Sequence, residues 1–252
     1  MNTLWTASEI ADAVDGEAHG DFAASGVAFD SREIGAGDLF IALKGEATDG
    51  HRFIDGAFEN GAAGAIVSVP GDHPHILVAD TMDALNKLGV RGRLRTSARI
   101  IGVTGSVGKT GTKEALFAAL DRKPGVNAHR SVKSYNNHTG VPLSLARMPQ
   151  GSDYGVFEMG MNHAGELAAL TRLVRPHVAV VTVIAPAHSE FFRDEAAIAD
   201  AKGEIFEGLE PGGTAIIPFD SPHRDRLIAA AKPHAATIWT FGLGEGADIF
   251  AS

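Results

Sequence analysis

The 252-residue chain contains no cysteine, which excludes disulfides, thiolate metal sites and cysteine nucleophiles. It has no basic excess either, since 22 lysines and arginines against 31 acidic residues leave a formal charge of −9. Without a positive field to neutralise a phosphate backbone, a general nucleic-acid binder is excluded, and a polyanionic ligand needs a local site. No apolar run approaches the ~20 residues of a membrane helix, and residues 1–10 lack the basic region and apolar core of a signal peptide,. There is no internal repeat and no low-complexity tract. These absences predict a cytoplasmic protein with no nucleic-acid partner and no membrane span.

What is present is ordinary globular composition, 44% hydrophobic and 21% charged,. The length predicts two domains, residues 1–96 and 97–252, each able to bury a core. In the first, a helix is expected over 6–15, started by Thr6 or Ser8, with Ile10, Ala11 and Val14 on one face. Strands are expected at 26–29, 38–43, 65–68 and 75–78, a turn at Gly35-Ala36-Gly37, and helices at 52–60 and 81–95. The fold class is therefore α/β from the start. Beyond residue 98, apolar runs at 100–103, 154–159, 178–183, 214–217 and 237–241 alternate with helical stretches, as parallel βαβ units require. Right-handed crossovers then make a mostly parallel sheet flanked by helices, with ligands beyond the carboxyl ends of its strands. Asp248-Ile249-Phe250 reads as the start of a further strand, so the second domain is expected to be incomplete.

The organising stretch is residues 100–114, which reads as strand, glycine loop and helix. The N–H groups of such a loop and of the first helical turn attract phosphate oxygens. Lys109 adds a full positive charge and Thr110 a hydroxyl suited to Mg²⁺. The full phosphate-loop spacing would place glycine at Val103, so only the shorter core Gly105-Ser106-Val107-Gly108-Lys109-Thr110 is present. Elsewhere on the expected rim, Glu158 ends an apolar strand, where it is either a magnesium ligand or a capping carboxylate. His188 follows the next strand, a position that favours function over structure. Asn136 and Asn137 form a polar loop before a helix, suited to gripping an anionic group or a peptide, although a plain turn uses the same residues. Lys202, taken alone, reads as a surface lysine.

Seven blocks in order resemble the Mur ligases of bacterial cell-wall synthesis. They are Asp30-Ser31-Arg32; Phe40 to Glu46 with Asp49-Gly50-His51; Thr104 to Thr110; Tyr135-Asn136-Asn137 with Gly140-Val141-Pro142; Glu158 to Glu166; Ala185-Pro186-Ala187-His188; and Ala201 to Phe206. The resemblance covers essentially the whole chain. It implies a UDP-substrate-binding domain followed by a phosphate-loop ATP-binding domain, and an ATP-dependent, amide-forming ligase. Within the family the closest match is the activity that adds D-alanyl-D-alanine to UDP-N-acetylmuramoyl-tripeptide. It also implies an acyl phosphate formed from the peptide carboxylate and attacked by the incoming amine. By the same resemblance, residues 105–110 bind ATP, Thr110 and Glu158 hold one Mg²⁺, and His188 contributes to a second. Lys202 matches a lysine that the family carbamylates into a magnesium ligand, which together with Lys109 and His188 makes the catalytic set. Ser31, Arg32 and Lys44 fall where the uridine diphosphate portion is held, and Asn136 and Asn137 where the muramyl substrate is held.

Three departures stand out. Pro218-Phe219-Asp220 replaces an Asn-x-Asp whose asparagine reads adenine in many relatives, Ser189 replaces a common leucine, and the family's third, C-terminal domain has no counterpart. A monomer with weak or no turnover by itself is expected. The alternatives are a fragment that binds nucleotide or UDP-muramyl peptide without turnover, another Mur ligase, or a folylpolyglutamate synthetase-like enzyme.

Overall fold

The computed structural model describes residues 3–45, 48–186 and 191–250, and divides into one unit of residues 1–95 with 145–150 and another of 96–144 with 151–252. In the first unit, β1 (Trp5–Thr6) leads directly into α1 (Ala7–Val14). Thr6 closes a capping box with Glu9: the Glu9 N–H donates to its hydroxyl at 3.3 Å, and the Thr6 N–H donates to the Glu9 carboxylate at 2.8 Å,. Ala7, Ile10 and Val14 are the buried face.

The chain then runs through β2 (Glu17–His19), β3 (Ala23–Ala24), β4 (Gly26–Ala28), β5 (Asp38–Ile41), α2 (Ile54–Glu59), β6 (Gly64–Val67), β7 (His75–Leu77) and α3 (Thr81–Leu94). Among the described residues the main sheet has the order β2-β7-β6-β5-β4, with β2 antiparallel to β7 and the rest parallel, and β1 pairs separately with β3. Phe40, Ala42, Ala57, Ala65 and Val67 form its core. The helix expected over 52–60 is split in two. Asp49 accepts the His51 N–H at 3.0 Å and opens a 3-10 turn over Gly50–Phe53, so α2 begins only at Ile54.

Residues 145–150 belong to this unit for visible reasons. The Trp5 indole donates to the Ala146 carbonyl at 2.8 Å, and Arg95, stacked 3.4 Å over the Trp5 ring, donates to Leu4 and Met148 carbonyls at 2.7 and 3.2 Å. Gly92 admits the Leu145 carbonyl where a Cβ would stand.

The second unit contains β8 (Arg99–Thr104), α4 (Lys109–Asp121), β9 (Ala128–Arg130), α5 (Gly140–Ala146, its last two residues grouped with the first unit), β10 (Tyr154–Glu158), α6 (Glu166–Val174), β11 (Val178–Val181), α7 (Glu195–Gly203), β12 (Thr214–Pro218), α8 (Arg224–Ala231), β13 (Thr237–Gly242) and β14 (Ile249–Phe250). Its described strands pair in parallel in the order β14-β13-β12-β11-β8-β10-β9. Val103, Val156 and Val180 from the three central strands form a buried cluster, against which Leu116 and Leu120 of α4 pack. The register places Glu158 opposite Val103 and Val181 opposite Thr104, so the ends of β10, β8 and β11 are level at one edge.

Candidate active site

β8 ends at Thr104, α4 begins at Lys109, and two of the four residues between them need glycine. Gly105 has φ +150°, and a Cβ there would collide with the Thr182 hydroxyl, while Gly108 has φ +85°,. The turn is fastened from the β11 side. The Thr182 hydroxyl donates to the Val107 carbonyl at 2.6 Å and lies 3.2 Å from that of Thr104. Ser106 donates its N–H to the Val183 carbonyl at 2.7 Å and its hydroxyl to the Ala185 carbonyl at 2.9 Å, and that hydroxyl accepts the Ala185 N–H at 3.1 Å. The first helical bond of α4 runs from Thr112 N–H to the Gly108 carbonyl at 2.9 Å. Among the described residues, the N–H groups of Val107, Gly108, Lys109 and Thr110 therefore have no acceptor,. Lys109 folds back, its ammonium donating to the Gly105 carbonyl at 2.7 Å. Burial lowers its pKa, against the opposing pull of the Glu158 charge.

Glu158 is 1% exposed at the end of β10. One carboxylate oxygen accepts from the Thr110 hydroxyl at 2.8 Å and the other from the Asn136 amide at 2.7 Å, and the Glu158 N–H donates to the Ser131 hydroxyl at 3.1 Å. A hydroxyl and a carboxylate in contact are the hard oxygen donors that Mg²⁺ takes, the remainder being water and phosphate oxygens. Among the described residues no group of three or more acidic or histidine side chains is gathered for a metal, so phosphate and water would have to complete the shell. His188 lies outside the described residues.

Lys202, near the end of α7, is 1% exposed, not on the surface as its sequence context suggests. Its pKa falls to about 8, first through burial and then through repulsion from Lys109. Among the described residues it forms no ion pair. An amine close to neutrality is what carbamylation requires. Two residues on, Glu204 accepts the N–H groups of Gly165 at 2.7 Å and Ala168 at 3.1 Å, fixing the start of α6, and burial raises its pKa.

Asn137 caps α5, its side-chain oxygen accepting the Gly140 N–H at 2.9 Å and the Thr139 hydroxyl at 3.0 Å. With Asn136, Gly160, Asn162, His163 and Glu166 it lines a cleft of about 550 Å³. A second cleft, of about 340 Å³, lies beyond β11–β13 and is lined by Thr182, Pro218, Asp220, Phe241 and Leu243. There Asp220 accepts the Leu243 N–H at 2.8 Å. The structure thus brings together residues 105–110, Asn136, Glu158 and Lys202 at one edge of the second unit. Ser31, Arg32 and Lys44 belong to the first unit. Ser31 and Arg32 sit on a 3-10 turn, where the guanidinium donates to both Asp30 carboxylate oxygens at 2.9 and 2.6 Å, while the exposed Lys44 pairs its backbone with that of Asp49 in an isolated antiparallel β-bridge.

Sequence reasoning missed Lys113, which is completely buried. Its ammonium donates to the Lys133 carbonyl at 2.8 Å and lies 3.2 Å from Glu114 and 3.9 Å from Glu158. Its position four residues after Lys109 and three after Thr110 places all three on one helix face, the one signal available. Ser131 and Thr182 carry no comparable signal.

Comparisons with known proteins identify the family. The profile of the Mur ligase middle domain matches residues 103–252, and that of the Mur ligase family catalytic domain matches residues 24–101. The UDP-N-acetylmuramoyl-tripeptide–D-alanyl-D-alanine ligase of Escherichia coli is 41% identical over 239 residues, which is 94% of this chain and 52% of that protein. A crystal structure of MurF from Acinetobacter baumannii superposes with a TM-score of 0.85 at 37% identity, over 98% of this chain and 55% of that one. The MurF ligase of Thermotoga maritima in complex with ADP gives 0.73 at 33% identity, over 88% of this chain and 51% of that one. The chain spans about half the length of the curated relatives it matches. On a profile match that takes in the phosphate loop, Glu158 and Lys202, the chain belongs to the Mur ligase family.

Proposed function

We propose that this chain carries the nucleotide and metal site of an ATP-dependent ligase that adds D-alanyl-D-alanine to UDP-N-acetylmuramoyl-tripeptide in peptidoglycan precursor synthesis. The observation that carries this reading is the convergence at one sheet edge of N–H groups without acceptors, Lys109, and the buried Thr110–Glu158 pair. The substrates come from the names of its relatives, the Escherichia coli ligase among them. The same reading makes the protein a cytoplasmic monomer with no nucleic-acid partner.

A carboxylate is a poor electrophile, so amide formation needs its oxygen converted into a leaving group. The tripeptide carboxylate oxygen attacks the γ-phosphorus of ATP, forming an O–P bond as the bond to ADP breaks. The amine of D-alanyl-D-alanine then attacks the acyl carbon, forming the C–N bond, expelling phosphate and losing a proton to solvent. In this chain the N–H groups of residues 107–110 hold the phosphate oxygens. Lys109 leaves the Gly105 carbonyl to follow the negative charge,. Thr110 and Glu158 would hold Mg²⁺, whose charge would offset that of the phosphate oxygens. Lys202, once neutral, attacks CO₂ through nitrogen and loses a proton, replacing an ammonium with an anionic metal ligand; His188 is assigned a metal role by resemblance. Asn136 and Asn137 border the cleft for the muramyl peptide. Ser31, Arg32 and Lys44 hold the uridine diphosphate.

Titration calorimetry with ADP, with and without Mg²⁺, tests the site. Magnesium should tighten ADP binding to the native chain and do so far less in Glu158→Gln. An equal magnesium effect in both would remove Glu158 from the site, and turnover with meso-diaminopimelate or lysine in place of D-alanyl-D-alanine would reassign the substrate.

A further inference from the structure

We propose that Thr182 is a positioning residue of the phosphate loop, acting with Ser106 as a latch that keeps the loop's N–H groups available to the ligand. The inference rests on the nucleotide reading above and adds a residue outside the loop. An isolated glycine turn of this length has carbonyls and N–H groups that satisfy one another or turn to solvent, and nothing in residues 105–108 alone chooses the open arrangement. The choice comes from the segment after β11. Thr182, 6% exposed, donates to the Val107 carbonyl at 2.6 Å and is 3.2 Å from the Thr104 carbonyl. The Thr104 carbonyl is held towards β11 by the Thr182 backbone N–H at 2.9 Å, and the hydroxyl turns the Val107 carbonyl the same way and keeps its oxygen from closing a helical bond with Gly111.

The same hydroxyl occupies the space that a Cβ on Gly105 would need, so Gly105 and Thr182 form a matched pair. Ser106 completes the latch. Its N–H goes to Val183 and its hydroxyl both donates to and accepts from Ala185. Ser106 therefore acts on the phosphate through loop geometry, not as a ligand, which revises the role implied by its place in the motif.

The test is Thr182→Val, which deletes the hydroxyl and keeps the shape, beside Thr182→Ser, which keeps the hydroxyl. Calorimetry would measure ADP and AMP binding, and thermal unfolding the fold. In Thr182→Val, ADP affinity should fall about tenfold, as expected when a buried carbonyl loses its donor. AMP, which lacks the β-phosphate, should change little, and Thr182→Ser should stay near the native value. Unchanged ADP affinity in Thr182→Val, or equal losses for ADP and AMP, would overturn the proposal. If Thr182→Val does not fold, Thr182→Ala against Thr182→Ser isolates the same hydroxyl. Failure of the native chain to bind ADP would overturn the nucleotide reading itself, a result distinct from native binding that the hydroxyl does not affect.

Discussion

Replacing Lys202 by Met separates what its burial costs the fold from what it contributes to the site. The side chain is 1% exposed and its pKa drops from 10.5 to about 8. Below pH 8 it is protonated in both folded and unfolded chains, and the folded state bears about 3 kcal/mol of desolvation and repulsion from Lys109. Between about pH 8 and 10.5 the unfolded chain binds more protons than the folded one, so native stability rises with pH,. Above that window both states are neutral and the penalty is gone. Met fills similar space without charge, so Lys202→Met should be more stable at pH 7 by up to about 3 kcal/mol. The gain should shrink from pH 8 upward and vanish above 10.5.

The assay is urea unfolding in CO₂-free buffer, followed by Trp239 fluorescence in a Trp5→Phe background, so that the signal comes from the second unit. Adding bicarbonate should then stabilise the native chain alone, because a carbamate exchanges repulsion from Lys109 for attraction. No gain at pH 7, a gain independent of pH, or equal stabilisation of the Met variant by bicarbonate would refute the reasoning. In ¹³C-bicarbonate, a carbamate resonance present in the native chain and absent from the variant would identify the modified residue.

Two further substitutions test the packing beneath the site and the first unit. Lys113→Met leaves the Lys133 carbonyl and the Glu158 carboxylate without their buried cation, and should cost about 3 kcal/mol or more in urea unfolding of the second unit. A loss under about 1 kcal/mol would mean that Thr110 and Asn136 are enough to satisfy the Glu158 carboxylate without the lysine,. Thr6→Ala removes the capping box of α1 and should cost about 1 kcal/mol, read from Trp5 fluorescence, with ADP binding unchanged.

The centre of the parallel sheet was legible because β8, β10 and β11 are largely buried on both faces. Residues 100–103, 154–159 and 178–183 are nearly continuous apolar runs, and burial demands such runs. The strands that carried no signal are those without that constraint. Glu17, Ala18 and His19 of β2 are all exposed, and Ala128, His129 and Arg130 of β9, at the sheet edge, are each only half-buried. Pairing there is set by neighbours instead of by a hydrophobic pattern. The split of the helix expected over 52–60 has a different cause. Asp49 takes the backbone N–H of His51, the His51 ring Nδ1 lies 2.6 Å from the same carboxylate oxygen, and the ring's Nε2 accepts the Ser68 N–H at 2.8 Å, so a tertiary contact overrides helical spacing.

The site was legible in proportion to how much of its chemistry lies within one short stretch. Residues 105–110 announce themselves because a glycine loop, a lysine and a hydroxyl must be consecutive to cradle phosphate. Lys202 is different, since nothing in Ala201-Lys202-Gly203 distinguishes a buried lysine from a solvated one. Its character comes from α7 carrying it into the interior near Lys109. Lys113 and Thr182 go further in that direction, because each acts on another residue's geometry. A threonine after a strand and a lysine on a helix are unremarkable until the fold places one beneath the Val107 carbonyl and the other against Glu158. The loop's pattern thus specifies which atoms meet the phosphate, and residues 70 or more positions away decide whether those atoms are free to do so,.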